Sequence, residues 1–330
     1  MTASPDFFVL TLGDPCGIGP EIAATFLHTA PETWKEKLII IGPLRILQKS
    51  AKQLGHLPLV PCQPFFPQPG KIMGIDTGNA DSCPPGKICR EGGAVALKAL
   101  EIAHDLCHTG KCRGMITGPI GKKAIRLAGS PFSGHTDMLE SWTGASTTRM
   151  AMVHGRLRVV MTTLHVPYRS VPALLSRESV FETIRLAHEA FRSPSRPLPR
   201  IAVAGLNPHA GEDGLFGDEE TKAIHPAIAE FKKINPHVSG PFPADSMYKV
   251  EIRRVTDVFV AHTHDQGLIA IKTLGGLTCV NVTLGLPYIR TSVGHGTAYD
   301  IAGQGIADAG GLVAACREAF RLARKPPVDR

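Results

Sequence analysis

The sequence predicts an α/β protein with a largely parallel sheet, and three observations carry this prediction. Short apolar runs alternate with segments of helical spacing along the 330 residues, a pattern typical of strand–helix–strand units with right-handed crossovers. The length suits one large or two medium domains. The chain shows no internal repeat and no clean linker, so we expect two joined lobes with a cleft between them.

Local patterns predict each element in turn. Apolar runs bounded by Gly or Pro predict strands, and these runs are FFVLTLG, KLIIIG, RGMITGP, LRVVMTTLHVP, IAVAGL, VFVAHTH and LTCVNVTLG. Helical spacing of apolar residues predicts helices. These are GIGPEIAATFL, with Pro20 near its first turn, RILQKSAKQL, GGAVALKALEIAHDL, ESVFETIRLAHEAF and GLVAACREAFRLARK. Residues 58–70 are proline-rich and predict an extended excursion.

The composition is that of an ordinary globular protein, with 43% hydrophobic and 20% charged residues. No apolar run approaches the roughly 18 residues that a membrane-spanning helix needs. The N-terminal stretch lacks a basic region and predicts a first strand instead of a signal peptide. The eight cysteines are scattered without a C-x-x-C pair. This predicts reduced thiols in the cytoplasm and argues against both a disulfide framework and a thiolate zinc site.

The net charge of +7 is spread along the chain, apart from the basic tail RLARKPPVDR. No nucleic-acid motif and no basic stripe interleaved with aromatic residues is present. We therefore expect neither a nucleic-acid partner nor a membrane partner. A small anionic substrate fits the positive charge at least as well as a polyanion does.

Three of the predicted strands end in a histidine: His165 in LHVP, His209 in NPHAG and His264 in HTHDQG. Imidazole is a common ligand for Zn and also suits Co and other divalent ions. Three protein ligands with open positions are the arrangement of a catalytic metal site. Because the chain has 14 histidines, three unrelated loop histidines are the alternative interpretation.

Two further motifs precede predicted helices. GDPCGIGPE, residues 13–21, lacks the G-x-G-x-x-G spacing and the acidic residue of a dinucleotide fingerprint, so a tight turn is favoured. In SGHTDMLE, His135 and Thr136 stand just before a helical stretch, where backbone N–H groups bind anions. Asp137 in the same motif is also suited to capping the helix.

Four polar residues in the C-terminal half admit two interpretations each. Asp245, in GPFPADSMY, is a candidate base or a turn aspartate. Lys272, Asn281 and Arg290 lie in strand-like segments, where polar side chains need partners. Substrate and an acidic side chain are the two kinds of partner that we consider.

The stretch GHGTAYDIAGQGIAD, residues 294–308, resembles the nucleotide-binding loop of the isocitrate and isopropylmalate dehydrogenase superfamily, which binds NAD(P) without a Rossmann fingerprint. A collinear set of motifs resembles the 4-hydroxythreonine-4-phosphate dehydrogenase family of vitamin B6 synthesis. The resemblance runs from about residue 8 to the C-terminal helix. The motifs are GDPCGIGPE, TGPIGK, AGSPFSGHTD, TTLHVPYR, GLNPHAGEDG, GPFPADS, HDQGLIAIK and NVTLGLPYIRTSVGHGTA.

The resemblance implies an isocitrate dehydrogenase-like fold of two three-layer α/β/α lobes. Residues 1–130 and 270–330 would form the cofactor side, and residues 131–269 the metal, substrate and dimerisation side. It also implies a homodimer with the active site at the subunit interface. The divalent ion, Zn, Co, Mn or Mg, would be held by His165, His209 and His264.

The resemblance further implies NAD- or NADP-dependent oxidation and decarboxylation of 4-phosphooxy-L-threonine to 3-amino-2-oxopropyl phosphate. Asp245 and Lys272 are the candidate catalytic residues, with Asp245 receiving the alcohol proton. The implied substrate-binding residues are His135, Thr136, Lys272, Asn281 and Arg290. The implied cofactor-binding residues are His295, Gly296, Thr297, Ala298 and Asp300.

Three alternatives to this activity remain open at this point. Relatives of the same fold oxidise erythronate or threonate 4-phosphate, or a cis-dihydrodiol dicarboxylate. A non-catalytic metal- or anion-binding protein is the third alternative, from a different class. The chain also departs from the family pattern, with Gly121 where Asn or His is usual and Gly294 where Asp is frequent.

Overall fold

The computed structural model describes residues 7–52, 54–62, 70–78 and 80–324. Residues 63–69 of the proline-rich stretch and 325–330 of the basic tail lie outside the described residues. The strands are β1 Phe8–Thr11, β2 Leu38–Gly42, β3 Leu59–Pro61, β4 Ile72–Asp76, β5 Gly114–Thr117, β6 Arg149–His154, β7 Leu157–Met161, β8 Ile201–Ala204, β9 Val238–Phe242, β10 Val258–Ala261, β11 Val280–Leu284 and β12 Ile289–Val293.

The α-helices of the described residues follow the strands in alternation, as the sequence predicts. They are α1 Gly19–Thr29, α2 Glu32–Lys35, α3 Leu44–Ser50, α4 Arg90–His108, α5 Lys122–Leu127, α6 His135–Thr143, α7 Val171–Leu174, α8 Arg177–Phe191, α9 His225–Phe231, α10 Val250–Val255, α11 His264–Gly275 and α12 Gly310–Ala323. None of these helices is both long and apolar enough to cross a membrane.

The chain divides into two compact units, Met1–Ser146 with Leu286–Ala323, and Thr147–Gly285. In the first unit, six strands pair in parallel in the order β3-β4-β2-β1-β5-β12. In the second unit, the order is β11-β6-β7-β10-β8-β9. There β11, β6 and β7 pair antiparallel, and β7, β10, β8 and β9 pair in parallel. The predicted α/β class is confirmed.

Buried aliphatic strands form the centre of each unit. Every residue of β1, β2 and β5 is buried, which is why these runs lack the polar alternation of a half-exposed strand. Helix α4 lays its apolar stripe, which includes Ala99, Leu100 and Ala103, against them. In the second unit, residues of β7, β8 and β10 form the core with α11. Because the strands are buried in the two cores, the polar side chains lie mainly in the loops at the strand ends.

The strands of the second unit end earlier than the sequence predicts. β7 ends at Met161 and β10 ends at Ala261, and His264 is the first residue of α11. The reason is a capping box, in which the Thr263 hydroxyl accepts from the Gln266 N–H and the Gln266 side chain accepts from the Thr263 N–H. This reciprocal pair stabilises a helix start at His264.

Candidate metal, anion and cofactor sites

Three histidine-bearing loops of the second unit leave neighbouring strands at the same edge of the sheet. His165 follows β7, His209 follows β8 and His264 follows β10. β10 lies between β7 and β8 and pairs in parallel with both. The carboxyl ends of parallel strands are where α/β folds usually bind ligands. The strand order therefore brings loops together that are distant in the sequence.

His264 is oriented by a neighbouring carboxylate. Its Nδ1 donates to Asp265 Oδ1 at 2.6 Å, and Asp265 Oδ2 accepts from the Tyr168 hydroxyl at 2.7 Å. The hydrogen bond from His264, followed by that from Tyr168, lowers the pKa of Asp265. Metal-binding histidines commonly donate one ring nitrogen to a carboxylate in this way. The Nε2 atom of His264 is then the one that faces a ligand.

His209 lies in a left-handed turn, Pro208–Gly214. Its φ is 54°, and three further non-glycine residues of the turn also have positive φ. Such residues cost roughly 1–3 kcal/mol each and persist only where the surroundings hold them, often at ligand sites. At Gly211, with φ 84°, an added Cβ would lie 2.6 Å from Glu220 Oε2. The turn leaves the His209 side chain 72% exposed.

Glu220 is the anchor of this turn. The residue is 3% exposed. Its Oε1 accepts from the backbone N–H groups of Leu206 and Asn207 at 2.7 and 2.8 Å, and its Oε2 accepts from Asn207 Nδ2 at 2.9 Å. Burial alone raises the pKa of Glu220, but the hydrogen bonds, those from Asn207 foremost, bring it below its ordinary value. The buried carboxylate therefore stays charged and fixes the path of the chain after β8.

Gln266 connects the turn to the helix that carries His264. Its Oε1 accepts from the His262 N–H at 2.9 Å, and its Nε2 donates to the Gly205 carbonyl at 3.0 Å. His262 is itself buried, and its Nε2 donates to the Ala204 carbonyl at 2.8 Å. Burial lowers the pKa of His262 to about 4, so this ring is neutral at pH 7 and serves as a hydrogen-bond donor to β8. The loops after β8 and β10 are thus joined by hydrogen bonds.

A cavity of about 210 Å³ lies beside His165 and His264, whose ring centroids are 5.6 Å apart. Two imidazoles, one of which is oriented by a carboxylate, fit a divalent ion. Within the part of the chain that the structure describes, however, the ring nitrogens of the three histidines do not all lie within 4.8 Å of one another. One chain therefore does not bring the whole predicted ligand set together.

Glu220→Ala is expected to lower the free energy of unfolding by about 2–4 kcal/mol, because the N–H donors of residues 206 and 207 lose their buried acceptor. Glu220→Gln should cost less, since it keeps one acceptor oxygen. Chemical denaturation followed by circular dichroism measures both changes.

The matched control for that measurement is Asp218→Ala, which removes an exposed ion pair with Lys222. We expect a loss below about 1 kcal/mol there. Equal losses for the two alanine variants would contradict the anchoring role of Glu220.

The first unit places His135 beside the buried Arg290. Arg290, in β12, is 2% exposed, and its Nη2 donates to Thr117 Oγ1 at 2.9 Å. Burial lowers the pKa of Arg290 to about 10, so the guanidinium is charged at neutral pH. Burial, then the charge of Arg290, lowers the pKa of His135 well below its usual value. The cation and the neutral imidazole form a candidate anion site.

His135 begins α6, and its Nε2 is buried without a hydrogen-bond partner among the described residues. Buried polar atoms normally have a partner. Helix starts also favour bound anions through their unpaired N–H groups. An anionic ligand group fits this environment. Asp137 is not the N-cap of the helix: the N-cap is Gly134, which makes no side-chain capping bond, and Asp137 Oδ2 instead accepts from the Ser133 N–H at 2.6 Å.

The other predicted substrate and catalytic residues lie on different elements. Thr136 is the second residue of α6. Asn281 lies in β11, where its Nδ2 contacts Met150 Sδ at 3.3 Å. Its Oδ1 is buried and has no hydrogen-bond partner within the described ranges. The prediction that Lys272 lies in a strand-like segment is wrong, because the residue belongs to helix α11, where its side chain is exposed. Asp245, in the turn after β9, is exposed as well.

The predicted cofactor loop, residues 295–300, follows β12 at the carboxyl edge of the first unit's sheet. β5 lies between β1 and β12, so the loop lies near GDPCGIGPE, which follows β1. The Thr297 carbonyl accepts from the Ile18 N–H at 2.9 Å, and the Tyr299 hydroxyl donates to Asp14 Oδ2 at 2.6 Å. The motif that predicted only a tight turn therefore also anchors the cofactor loop.

Glu21 extends this anchor. Its carboxylate accepts from the N–H groups of Gly303 and Gly305, the latter at 3.0 Å. His295 Nδ1 donates to the Gly296 carbonyl at 3.0 Å, and its Nε2 is buried without a partner in the described residues. A ligand that accepts or donates one hydrogen bond at that nitrogen would satisfy it. Gly296 and Asp300 are exposed, and Ala298 is half-buried with φ 42°.

The chain is similar in sequence to known proteins over most of its length. The family model described as "Pyridoxal phosphate biosynthetic protein PdxA" matches residues 33–319. A 4-hydroxythreonine-4-phosphate dehydrogenase of Desulfosudis oleivorans is 41% identical over 314 residues, 93% of each chain. The chain belongs to the PdxA family. The resemblance drawn from the sequence motifs is confirmed.

Solved structures agree with the PdxA assignment. A 4-hydroxythreonine-4-phosphate dehydrogenase from Klebsiella pneumoniae has a TM-score of 0.83 and 33% identity, covering 96% of this chain and 99% of its own. A terephthalate 1,2-cis-dihydrodiol dehydrogenase from Burkholderia xenovorans has a TM-score of 0.69 and 29% identity, covering 96% and 98%. A β-decarboxylating dehydrogenase from Thermococcus kodakarensis shares the fold alone, with a TM-score of 0.54 and 14% identity, covering 96% and 83%.

The departure at Gly121 has a local cause in this PdxA-family chain. An added Cβ at this position would lie 2.0 Å from the Tyr299 hydroxyl and 3.2 Å from Asp14 Oδ2. The phenol of Tyr299 thus fills the space that an Asn or His at position 121 would need. The glycine therefore leaves room for the Tyr299 hydroxyl, which donates to Asp14 Oδ2.

Proposed function

We propose that the chain is a metal- and NAD-dependent dehydrogenase that oxidises 4-phosphooxy-L-threonine and releases CO₂ to give 3-amino-2-oxopropyl phosphate. The observation that supports this most directly is the position of His165, His209 and His264 after three adjacent parallel strands, at one edge of the second unit's sheet, in a member of the PdxA family. The eight cysteines are free thiols, which fits the reducing cytoplasm as the place of action.

His165, His209 and His264 would hold the divalent ion. When bound, a Zn, Co, Mn or Mg ion lowers the pKa of a coordinated alcohol and polarises a carbonyl oxygen. Asp265 keeps the His264 ring in one orientation, and Glu220 and Gln266 hold the loop of His209. These supports leave the imidazoles little to reorganise on binding.

We further propose that two chains share each metal site. The three histidines do not form a compact group within one chain, and the left-handed turn presents His209 outward. A second chain would then supply the missing ligand. In this arrangement the monomer lacks a complete site and the homodimer is the active form.

His135 and Arg290 would bind an anionic group of the substrate, with the N–H groups at the start of α6, including that of Thr136. Arg290 offers paired donors to phosphate or carboxylate oxygens. Lys272 would be a cationic candidate from the second unit, and Asn281 Oδ1, a buried acceptor without a partner among the described residues, would accept from a donor group of the substrate. Binding energy from such remote groups orients the reacting carbon.

A bound nicotinamide cofactor would supply the hydride acceptor for C3. Asp245 is proposed to receive the proton of the C3 hydroxyl, directly or through water. The 3-keto acid then loses its carboxylate as CO₂, and C2 takes up a proton. Lys272 would supply a positive charge to the carboxylate. Residues His295, Gly296, Thr297, Ala298 and Asp300 would position the cofactor, NAD or NADP.

The test is NADH or NADPH formation by the metal-loaded protein with a panel of substrates. We expect the highest kcat/KM for 4-phosphooxy-L-threonine among it, the 4-phosphates of threonate and erythronate, and a cis-dihydrodiol dicarboxylate. A preference for any of the others would replace the substrate and keep the fold. Quantitative NADH binding by fluorescence, with no turnover on any of the four, would contradict an enzymatic role.

A further inference from the structure

Three cysteines of the first unit form a compact group that the histidine site does not use. The Sγ atoms of Cys16, Cys83 and Cys89 all lie within 4.8 Å of one another, and Cys16 and Cys89 Sγ are 3.4 Å apart. Among the residues that the structure describes, this is the single such group of metal-ligating side chains. The absence of a C-x-x-C pair predicted no thiolate site. The fold nevertheless brings three thiols together from segments that are distant in the sequence.

The topology explains the assembly. Cys16 lies in the turn after β1, while Cys83 and Cys89 lie between β4 and α4. β2 alone separates β1 from β4 in the sheet. The loops at their carboxyl ends therefore meet, and Cys89 reaches the group as the N-cap of α4.

The spacing suits a metal ion bound by thiolates. A zinc–sulfur bond of about 2.3 Å places three thiolates around one ion roughly 3.8–4.0 Å apart. The Cys16–Cys89 separation of 3.4 Å is a few tenths of an ångström below that value, and the other two separations are at most 4.8 Å.

The surroundings have the features of a supporting shell. The Gly92 N–H donates to Cys89 Sγ at 3.3 Å, at the N-terminal end of a 19-residue helix, where negative charge is stabilised. Asp14 Oδ1 accepts from the Cys16 N–H at 2.9 Å. This carboxylate adds attraction for a cation. Ala80 packs in the same cluster and restricts water.

Without a cation, the group is electrostatically unfavourable to ionise. Burial, the hydrogen bond with Cys89 and the charge of Asp14 raise the pKa of Cys16 far above its ordinary value, and burial raises that of Cys83 to about 11. A divalent ion reverses this balance, because a coordinating thiol loses its proton outright.

We propose that Cys16, Cys83 and Cys89 form a trithiolate site for a thiophilic divalent ion of the Zn²⁺ class, separate from the histidine site. Each coordinated thiol releases its proton to solvent. Through the Asp14–Tyr299 hydrogen bond, the bound ion would brace the loop of residues 295–300. The site goes beyond the proposed dehydrogenase activity and does not depend on it.

Co²⁺ titration of the reduced, metal-free full-length protein tests the site. Cobalt bound by thiolates shows an intense sulfur-to-metal charge-transfer band in the near ultraviolet, which cobalt on imidazoles lacks. We expect the band in the wild type, saturating at one ion per chain and displaced by Zn²⁺. His209→Ala should leave it unchanged, which separates this site from the histidine site.

Cys16→Ala, Cys83→Ala and Cys89→Ser should each weaken Co²⁺ binding in this band by at least about 10–100-fold, since losses of that size already follow from changes around a ligand. Cys89→Ser keeps an N-cap acceptor for α4. The matched control is Cys112→Ser, a buried cysteine of the same unit outside the group, and it should retain the band.

Two results would overturn the proposal. One is a folded, reduced protein that shows no charge-transfer band. The other is a band that survives all three cluster variants. Recovery of Cys16 and Cys89 as a disulfide, together with the absence of the band after reduction, would show a redox pair in place of a metal site.

Discussion

His209→Ala and His264→Ala are each expected to lower kcat/KM for 4-phosphooxy-L-threonine by roughly 100-fold or more. Loss of an ion that stabilises the reaction by several kcal/mol has this size, because about 1.4 kcal/mol corresponds to tenfold in rate. Removal of the ion from the wild type with a chelator should have the same effect, and added Zn, Co, Mn or Mg should restore turnover.

The matched control is His237→Ala, an exposed histidine of the same unit without a proposed role. It should keep full activity and full metal content by elemental analysis. His209→Ala should fold normally as well, because Glu220 holds the chain at Leu206 and Asn207, just before the turn. Full activity in a metal-free wild-type sample would contradict the metal assignment altogether.

The same two variants also test whether two chains share each metal site. If His209 and His264 of one site come from different chains, mixing the two inactive proteins should restore part of the activity, since some mixed dimers hold one intact site. The dimer should bury well over about 1,000 Å², and analytical ultracentrifugation gives its mass. A fully active monomer would refute the shared site.

The edge of the second unit that carries His165, His209 and His264 could largely be predicted, because it depends on local signals. Short apolar runs, Gly and Pro punctuation and a histidine shortly after each run are visible in LHVP, NPHAG and HTHDQG. The rule that parallel strands expose their carboxyl ends on one edge then groups the three loops. The order β7-β10-β8 makes those loops neighbours, as the prediction required.

The supports of that edge could not be predicted, because they are long-range contacts between residues of ordinary type. Glu220 lies in a π-helical turn, Glu220–Ile224, and its sequence neighbours give no sign that its carboxylate is buried under β8. Helix α11, which carries Gln266, was not among the predicted helices, and the bond from Gln266 to Gly205 spans sixty-one positions. Neither Glu220 nor Gln266 needs a recognisable sequence motif to support the loops.

The first unit shows the same limit. Asp14 and Glu21 stand in a motif whose spacing predicted a tight turn, and their bonds to the loop after β12 appear only in the folded chain. The cysteine group illustrates it most clearly, since spacing rules for zinc sites assume ligands from one local segment. Here separate loops supply Cys16 and Cys89, and the parallel sheet brings them to one edge.

Arg290→Lys is expected to damage the enzyme nearly as much as Arg290→Ala, with kcat/KM lowered roughly 30-fold or more, the loss typical of removing one partner of a buried charged contact. Lysine has a single ammonium, whereas the guanidinium of Arg290 donates to Thr117 Oγ1 through Nη2 and presents its N–H donors in a planar fork that matches the geometry of an oxyanion. Because His135 is neutral at pH 7, it supplies a hydrogen bond and no charge. Arg290 therefore carries the positive charge at this site, and its loss should lower kcat as well as raise KM.

Steady-state kinetics on 4-phosphooxy-L-threonine and on free 4-hydroxythreonine decide what Arg290 recognises. We expect the wild type to prefer the phosphorylated substrate by several orders of magnitude in kcat/KM, since remote binding energy orients the reacting carbon. The two Arg290 variants should lose most of that preference, while the control Arg158→Lys, a half-buried arginine in β7, should keep it. Equal kcat/KM of the wild type for the two substrates would show that the phosphate is not recognised, and would move the assignment to the dihydrodiol-type relatives. An unchanged preference in the variants would place the phosphate elsewhere, and the carboxylate would then be the group that Arg290 binds.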